Sequence, residues 1–235
     1  MIIPIKRPDG QLKTCDNECN LLPFSHVHET ISSGTTAYHF ARPVNPDDVL
    51  DSMTEEQYEK DKFLPYWAQQ WPSCLPLFNY LSIHASSIIP SSGIICEMGS
   101  GLGIVSMLLA SGKNRIVATD IAPDACRYSA YNMRRYIPLP MVLCSDWRAS
   151  PFTIKFDCII ASDILYEQRW ISIVLDFLQL SLNHNGSAII ADPRRQWWLE
   201  FQNAAADRGF TLNKTWQEVV NQGKTTVEIM HLTLK

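Results

Sequence analysis

The stretch Ile94-Ile95-Cys96-Glu97-Met98-Gly99-Ser100-Gly101-Leu102-Gly103, followed by Ile116-Val117-Ala118-Thr119-Asp120, constrains this chain more than any other. It reads as a buried strand, a glycine turn, a helix and a second buried strand ending in a carboxylate. That is the opening βαβ unit of a nucleotide-binding α/β sheet. Glycines let the chain turn tightly and let backbone N–H groups approach a ligand closely. The dinucleotide pattern G-x-G-x-x-G is met only at Gly99 and Gly101, because Ile104 holds its third position and the last glycine is Gly103. Glu97 is a second departure. It ends the strand two residues before Gly99, near where a pyrophosphate would lie, and a carboxylate there repels phosphate and attracts an ammonium or sulfonium. Asp120 ends the next strand, about 20 residues on, where a carboxylate takes a ribose diol. Together the two acids predict a ligand with a ribose, no phosphate and a cationic end. The plainer alternative is a solvated strand end beside glycines that only turn the chain.

The pattern continues through the rest of the chain. Strands are predicted near 93–98, 115–120, 140–144, 156–162 and 186–191, and helices near 103–112, 123–136, 167–184 and 196–208. Continuous apolar strands such as Phe156-Asp157-Cys158-Ile159-Ile160-Ala161 imply a sheet covered on both faces. Gly209 to Trp216 and Thr225 to Leu234, separated by the turn signal Asn221-Gln222-Gly223-Lys224, predict an antiparallel pair. The expected fold is therefore α/β: a doubly wound, Rossmann-like, seven-stranded sheet with an antiparallel C-terminal strand pair. Before it, residues 1–63 read as an α/β extension: a hairpin of Ser25 to Ser32 and Thr35 to Arg42 around Ser33-Gly34, then a helix over Pro46 to Lys62. It has too few apolar residues for its own core and is expected to pack on the main domain, 64–235. Between the two lies Leu64-Pro65-Tyr66-Trp67-Ala68-Gln69-Gln70-Trp71-Pro72, with Pro72 expected to open a helix running to about His84.

Composition excludes several classes. The net charge of −4 offers no general polyanion-binding surface, and Arg134-Arg135 and Arg194-Arg195 are local pairs. The N-terminus is neither a signal peptide nor a membrane span, and no later segment reads as one. Seven cysteines, an odd number, are scattered; Cys96, Cys144 and Cys158 fall in predicted buried strands, where a thiol is a small hydrophobe. A reducing, cytoplasmic setting is expected. Cys15, Cys19, His26 and His28 could hold zinc, but C-x3-C followed by H-x-H is not a usual ligand spacing, so no metal site is expected.

S-adenosylmethionine (SAM) meets the ligand description. Glu97-Met98-Gly99-Ser100-Gly101-Leu102-Gly103, Asp120, Asp146-Trp147 and Asp163-Ile164-Leu165-Tyr166 resemble the seven-β-strand SAM-dependent methyltransferases. Within them, the Asp-x-x-Tyr motif resembles the lysine methyltransferase group, which acts on the electron transfer flavoprotein β subunit, elongation factors and chaperones. Pro65-Tyr66-Trp67-Ala68, Trp71-Pro72 and Asp192-Pro193-Arg194 look closest to the electron-transfer-flavoprotein type. The resemblance covers about Leu64 to the C-terminus; the extension before it matches no pattern. It implies that Glu97, Gly99, Ser100 and Gly101 hold the methionine end of SAM, that Asp120 takes the ribose, and that Ile121 lines the adenine. Asp146 would bond the adenine amino group, Trp147 would stack, and Trp71 and Ser162 would complete the cofactor site. Core packing is the alternative for both tryptophans.

Methyl transfer from a sulfonium is an in-line displacement that needs alignment and exclusion of water, but neither a metal nor a covalent enzyme intermediate. A lysine nucleophile must be neutral, against an ordinary pKa of about 10.4. Asp163, at a strand's C-terminal end beside the cleft, can hold the incoming ammonium, and Tyr166 can offer a cation–π face and a hydroxyl. A helix cap and a packing tyrosine are the alternatives. Asp192-Pro193-Arg194-Arg195 either shapes the substrate entrance or ends its strand. The leading reading is a SAM-dependent methyltransferase of a protein lysine, leaving S-adenosylhomocysteine as product. Its partner would be a protein with an exposed lysine, with no nucleic acid or membrane involved, and the chain itself would be a monomer. The alternatives are a small-molecule N-methyltransferase acting on a nicotinamide-like or other amine, and a non-catalytic module that keeps the SAM fold. An NAD-dependent oxidoreductase is disfavoured by Glu97 and Ile104, and a nucleic-acid methyltransferase by the negative charge.

Overall fold

The structure is a computed structural model and describes residues 3–4, 21–56 and 64–234. Its centre is a seven-stranded sheet. The parallel strands are β4 (Ile94–Met98), β5 (Arg115–Asp120), β6 (Met141–Cys144), β7 (Phe156–Ser162) and β8 (Leu182–Asp192), and the C-terminal pair is β9 (Phe210–Val220) and β10 (Thr225–Leu234). The order is β6-β5-β4-β7-β8-β10-β9, with β10 antiparallel to both neighbours. This is the predicted α/β fold. Alternation along the strands divides the core into two layers. Ile95, Ile116, Ile160 and Ile189 face one side, with α2 (Cys74–Ile88), α3 (Ile104–Ala110) and α4 (Pro123–Met133). Cys96, Val117, Ile159 and Ile190 face the other, with α5 (Trp170–Ser181) and α6 (Trp198–Asp207).

The strand order reverses direction between β4 and β7, because the chain runs outward through β5 and β6 and then returns to the other flank of β4. In such sheets the crevice at the carboxyl ends of the strands beside this switch point receives the ligand.

Before the sheet, β2 (His26–Ser33) and β3 (Thr36–Pro43) form the predicted hairpin, with β1 (Ile3–Pro4) along β2. Ile31, Phe40 and Val49 are buried in the same core as α2–α4. Asn132 of α4 fastens the hairpin: its Oδ1 accepts from the Ala41 N–H (2.7 Å), and its Nδ2 donates to the carbonyls of Ala41 (3.0 Å) and Leu102 (2.8 Å). One buried amide thus ties the hairpin to the glycine turn.

Several expectations need correction. The helix expected over 46–62 is interrupted: α1 (Pro46–Asp51) ends at Ser52, residues 55–56 are helical again, and 57–63 lie outside the described residues. The helix expected from Pro72 to His84 begins at Cys74 and runs to Ile88. Cys144 is exposed, because β6 is an edge strand with no neighbour beyond it among the described residues, while Cys96 and Cys158 are buried as expected. His26 and His28 lie edge-to-face at 5.5 Å beside Tyr131. Cys15 and Cys19 lie outside the described residues, among which no group of three metal-type ligands occurs. No described helix is long and apolar enough to cross a membrane.

Candidate active site

A cavity of about 690 Å³ opens at the switch point. Its floor is the glycine turn. Gly99 (φ 65°) and Gly101 (φ 50°) adopt left-handed backbone that other residues adopt only under strain. Space reinforces the requirement at Gly99, where a Cβ would sit 3.2 Å from the Trp147 ring and 3.3 Å from Ile164. The turn aims backbone and side-chain groups into the cavity, and the Ser100 hydroxyl is buried there with no hydrogen-bond partner.

Two acids face this floor. Glu97, 4% exposed, accepts from the Ser106 N–H (3.0 Å) and from the Ser106 hydroxyl. Burial, only partly offset by these donors, pushes its carboxyl up to about 8. Asp120 accepts from the N–H groups of Gly101 (2.9 Å) and Ala122 (3.0 Å), and burial raises its pKa against those bonds. Among the described residues no lysine or arginine pairs with either acid.

The opposite rim is built differently. Asp163 follows β7 in a left-handed conformation (φ 61°), tolerated by aspartate better than by most residues. Its Oδ1 pairs with Arg195 Nη2 at 2.8 Å, and its Oδ2 accepts from the Ser73 N–H at 2.9 Å. Arg195 also donates from Nη1 to the fully buried Asp192 (3.0 Å), which accepts from the Arg195 N–H as well (2.7 Å). One guanidinium therefore serves two buried carboxylates. Burial still outweighs it, raising Asp163 and pushing Asp192 up to about 6. The turn that brings Arg195 round passes through Arg194 at φ 58°.

Aromatic rings line the wall between the two ends. Tyr66 contacts Trp71 (5.4 Å between centroids) and Tyr166 (5.3 Å), Tyr166 contacts Trp170 (5.6 Å), and Trp170 contacts Trp147 (5.5 Å). Trp71 is held by its Nε1 donating to the Tyr66 carbonyl at 2.6 Å. Tyr166 lies in an irregular loop rather than on a regular turn after Asp163, and burial raises its phenol.

Of the predicted site residues, Trp71, Glu97, Gly99, Ser100, Gly101, Asp120, Ile121, Trp147, Ser162, Asp163 and Tyr166 all line this cavity. Asp146 does not. Its carboxylate is taken by Arg148, whose Nη2 lies at 2.5 Å and whose N–H donates at 2.9 Å, and these bonds hold its pKa down. Arg195 lines it from the Asp192-Pro193-Arg194-Arg195 segment expected either to shape the substrate entrance or to end its strand; Tyr66 and Gln70 line it without having been expected there, as do Val49, Ser52 and Met53 from the extension. Tyr66 was legible as an aromatic in a proline-bounded loop; Gln70, Val49, Ser52 and Met53 carried no local signal.

The model of a family described as lysine methyltransferase matches residues 66–204. The electron transfer flavoprotein β subunit lysine methyltransferase of Danio rerio is 29% identical over 135 residues, covering 56% of this chain and 51% of that protein. Protein-lysine methyltransferase METTL21E of Mus musculus is 31% identical over 121 residues, covering 47% and 49%. The chain thus spans about half the length of the curated relatives it matches. Among solved structures, the N-methyltransferase NodS of Bradyrhizobium japonicum, in complex with S-adenosylhomocysteine, superposes with a TM-score of 0.60 at 15% identity, covering 81% of this chain and 98% of that one. Magnesium protoporphyrin IX methyltransferase of Synechocystis, also with S-adenosylhomocysteine bound, gives 0.59 at 14% identity, covering 81% and 99%. These likenesses bear on the fold. The match over residues 66–204, more than half of the sequence, settles the rest: the chain belongs to the lysine methyltransferase family.

Proposed function

We propose that this chain is a SAM-dependent N-methyltransferase acting on a lysine side chain of a protein substrate. The observation that carries the reading is the pair Glu97 and Asp120. Two buried carboxylates at a glycine turn, with donors but no counter-ion among the described residues, suit a ligand with an ammonium at one end and a ribose diol at the other. The remaining features fit the same group. Ser100 keeps an unpartnered buried hydroxyl, Gly99 and Gly101 leave room for close backbone approach, and Trp147 supplies a flat ring with an unpartnered Nε1. Bound SAM supplies an electrophilic methyl carried on a sulfonium.

The chain's own residues do the rest. Glu97 would receive the α-ammonium of the cofactor, Asp120 the ribose, and Ile121 and Trp147 the adenine. Asp163 stands on the facing rim, its carboxylate oriented by Arg195 and Ser73. An ionised carboxylate offers about four acceptor positions, so two used bonds leave capacity for an incoming ammonium. Tyr66, Trp71 and Tyr166 wall that approach with ring faces that favour a cation and exclude water. Burial among these rings opposes the charged form, so the ammonium passes its proton to bulk solvent as it enters, and the neutral amine is the nucleophile. The net charge of −4 supports a protein rather than a nucleic-acid substrate. A cytoplasmic setting is supported by the five free thiols among the described residues. Monomeric action belongs to the same reading.

The test is transfer of labelled methyl from SAM to the electron transfer flavoprotein β subunit, the substrate named for two of the relatives, followed by mapping of modified lysines. Lysine labelling is expected, and Asp163→Asn should cut turnover by about 100-fold while S-adenosylhomocysteine affinity stays within about threefold. Transfer to a nicotinamide-like amine with no protein lysine labelled would instead favour the small-molecule alternative.

A further inference from the structure

Two cysteines stand directly behind the ribose acid. Asp120 ends β5 and lies opposite Cys144 in the parallel pairing with β6. Cys126 lies in the first turn of α4, with its Sγ 3.6 Å from the Asp120 carbonyl; Cys144 Sγ lies 3.3 Å from the Ile121 carbonyl. The two thiols therefore lie against consecutive backbone carbonyls, those of Asp120 and Ile121. Cys144 is exposed and Cys126 half-buried. Cys96 and Cys158 also sit on neighbouring strands, β4 and β7, but both are fully buried, so no reagent reaches them. Adjacency and access coincide at Cys126 and Cys144.

We propose that Cys126 and Cys144 form a thiol–disulfide exchange site that takes a low-molecular-weight disulfide, and that closing their bond loosens the ribose end of the cavity. Cys144, the accessible partner, attacks as thiolate. A bond forms between its sulfur and one sulfur of the reagent, the reagent's S–S bond breaks, and the departing thiolate takes up a proton. Cys126 then loses its proton to solvent and attacks Cys144 Sγ. The Cys126–Cys144 bond forms and the second reagent thiolate leaves and is protonated. Two protein thiols are oxidised by two electrons, and one disulfide is reduced to two thiols. Burial, followed by the charge of Asp120, keeps Cys126 protonated until that second step, which suits a resolving rather than an attacking thiol.

The link to the cavity is mechanical. A covalent S–S bond is about 2.05 Å long, so closing it draws both sulfurs off the carbonyls of Asp120 and Ile121 that they now contact. The first turn of α4 begins at Ala122, whose N–H holds Asp120, and Ile121, Ala122, Pro123 and Asp124 form the cavity wall. Loss of one such charge-assisted hydrogen bond corresponds to about a tenfold loss of affinity.

The experiment treats the full reduced chain with oxidised glutathione and maps it without reductant. The expected product joins tryptic peptide 116–127 to peptide 136–148 with loss of two hydrogens. S-adenosylhomocysteine should then bind about tenfold more weakly, and dithiothreitol should restore it. Cys144→Ser should abolish both changes, and Cys126→Ser should trap a glutathione adduct on Cys144. A wild-type protein that stays unreacted, or stops at the Cys144 adduct, overturns the exchange site. A crosslink that leaves S-adenosylhomocysteine affinity unchanged overturns the coupling. The affinity readout rests on the proposed cofactor; if the reduced protein binds no S-adenosylhomocysteine, that function fails, while the peptide crosslink still decides the exchange site.

Discussion

At the glycine-turn end of the cavity, Glu97 and Asp120 are buried carboxylates held by N–H and O–H donors, with no cation paired to them among the described residues. At the rim, Asp163 and Asp192 are equally buried but share the guanidinium of Arg195. Burying a charge without a partner is costly, and the unpaired group answers by raising its pKa. Glu97 does so, reaching about 8. The difference separates two kinds of site. The glycine-turn end withholds the counter-ion and leaves that position to a ligand. The rim supplies the counter-ion from the chain itself and keeps its acid oriented before anything arrives.

The sharpest way to break this contrast is to remove the built-in cation. Arg195→Ala leaves two buried carboxylates unpaired, and breaking a buried pair typically costs about 3–5 kcal/mol. A large drop in Tm is expected, while Arg195→Lys, which keeps the charge but loses the planar fork, should recover part of it. Thermal melts of both variants decide the matter; an Arg195→Ala protein as stable as wild type would mean the rim acids do not depend on it.

The pH dependence of the other end should run in a fixed direction. The pKa of Glu97 is raised in the folded, ligand-free protein from 4.5 to about 8. Its contribution to stability is therefore full below about pH 4.5 and lost as the pH rises to about 8. A cationic ligand needs the carboxylate, so below pH 8 its binding must displace a proton. Affinity for S-adenosylhomocysteine should rise by up to about tenfold per pH unit between pH 6 and 8 and then level off. Melting with and without the ligand across this range reads the effect, and Glu97→Gln should flatten it.

The smallest expected effect is at Asp146. Because its carboxylate is bound to Arg148 and stays off the cavity wall, Asp146→Ala should change S-adenosylhomocysteine affinity by less than about threefold, or about 0.7 kcal/mol. A hundredfold loss in titration calorimetry would show that Asp146 leaves Arg148 for the ligand, as the sequence resemblance implies.

Much of this was legible in the chain because the signals are local. A strand ending in Glu97, glycines where left-handed backbone is needed, and a second strand ending in Asp120 lie within 24 residues. Continuous apolar strands likewise announced a sheet buried on both faces. What escaped was set by tertiary placement. Arg195 reaches Asp163 only because β8 lies beside β7 and the chain turns through Arg194. Val49, Ser52 and Met53 reach the cavity because Asn132 pins the preceding hairpin against the glycine turn. Cys144 reads as core from its apolar neighbours, yet the strand order puts it at the sheet edge. Asp146 is the opposite case: Arg148, two residues away, was visible in the sequence as a local competitor for its carboxylate.

On the proposed function, Glu97, which has no cation paired to it among the described residues, selects a cationic, ribose-bearing ligand over a dinucleotide. Titration calorimetry at pH 8 with S-adenosylhomocysteine and with NAD, on wild type and Glu97→Gln, tests it most directly. S-adenosylhomocysteine is expected to bind and NAD is not, and Glu97→Gln is expected to lose about 100-fold, or about 2.7 kcal/mol. Equal affinity of the two proteins for S-adenosylhomocysteine, or NAD bound as tightly by wild type, would contradict it.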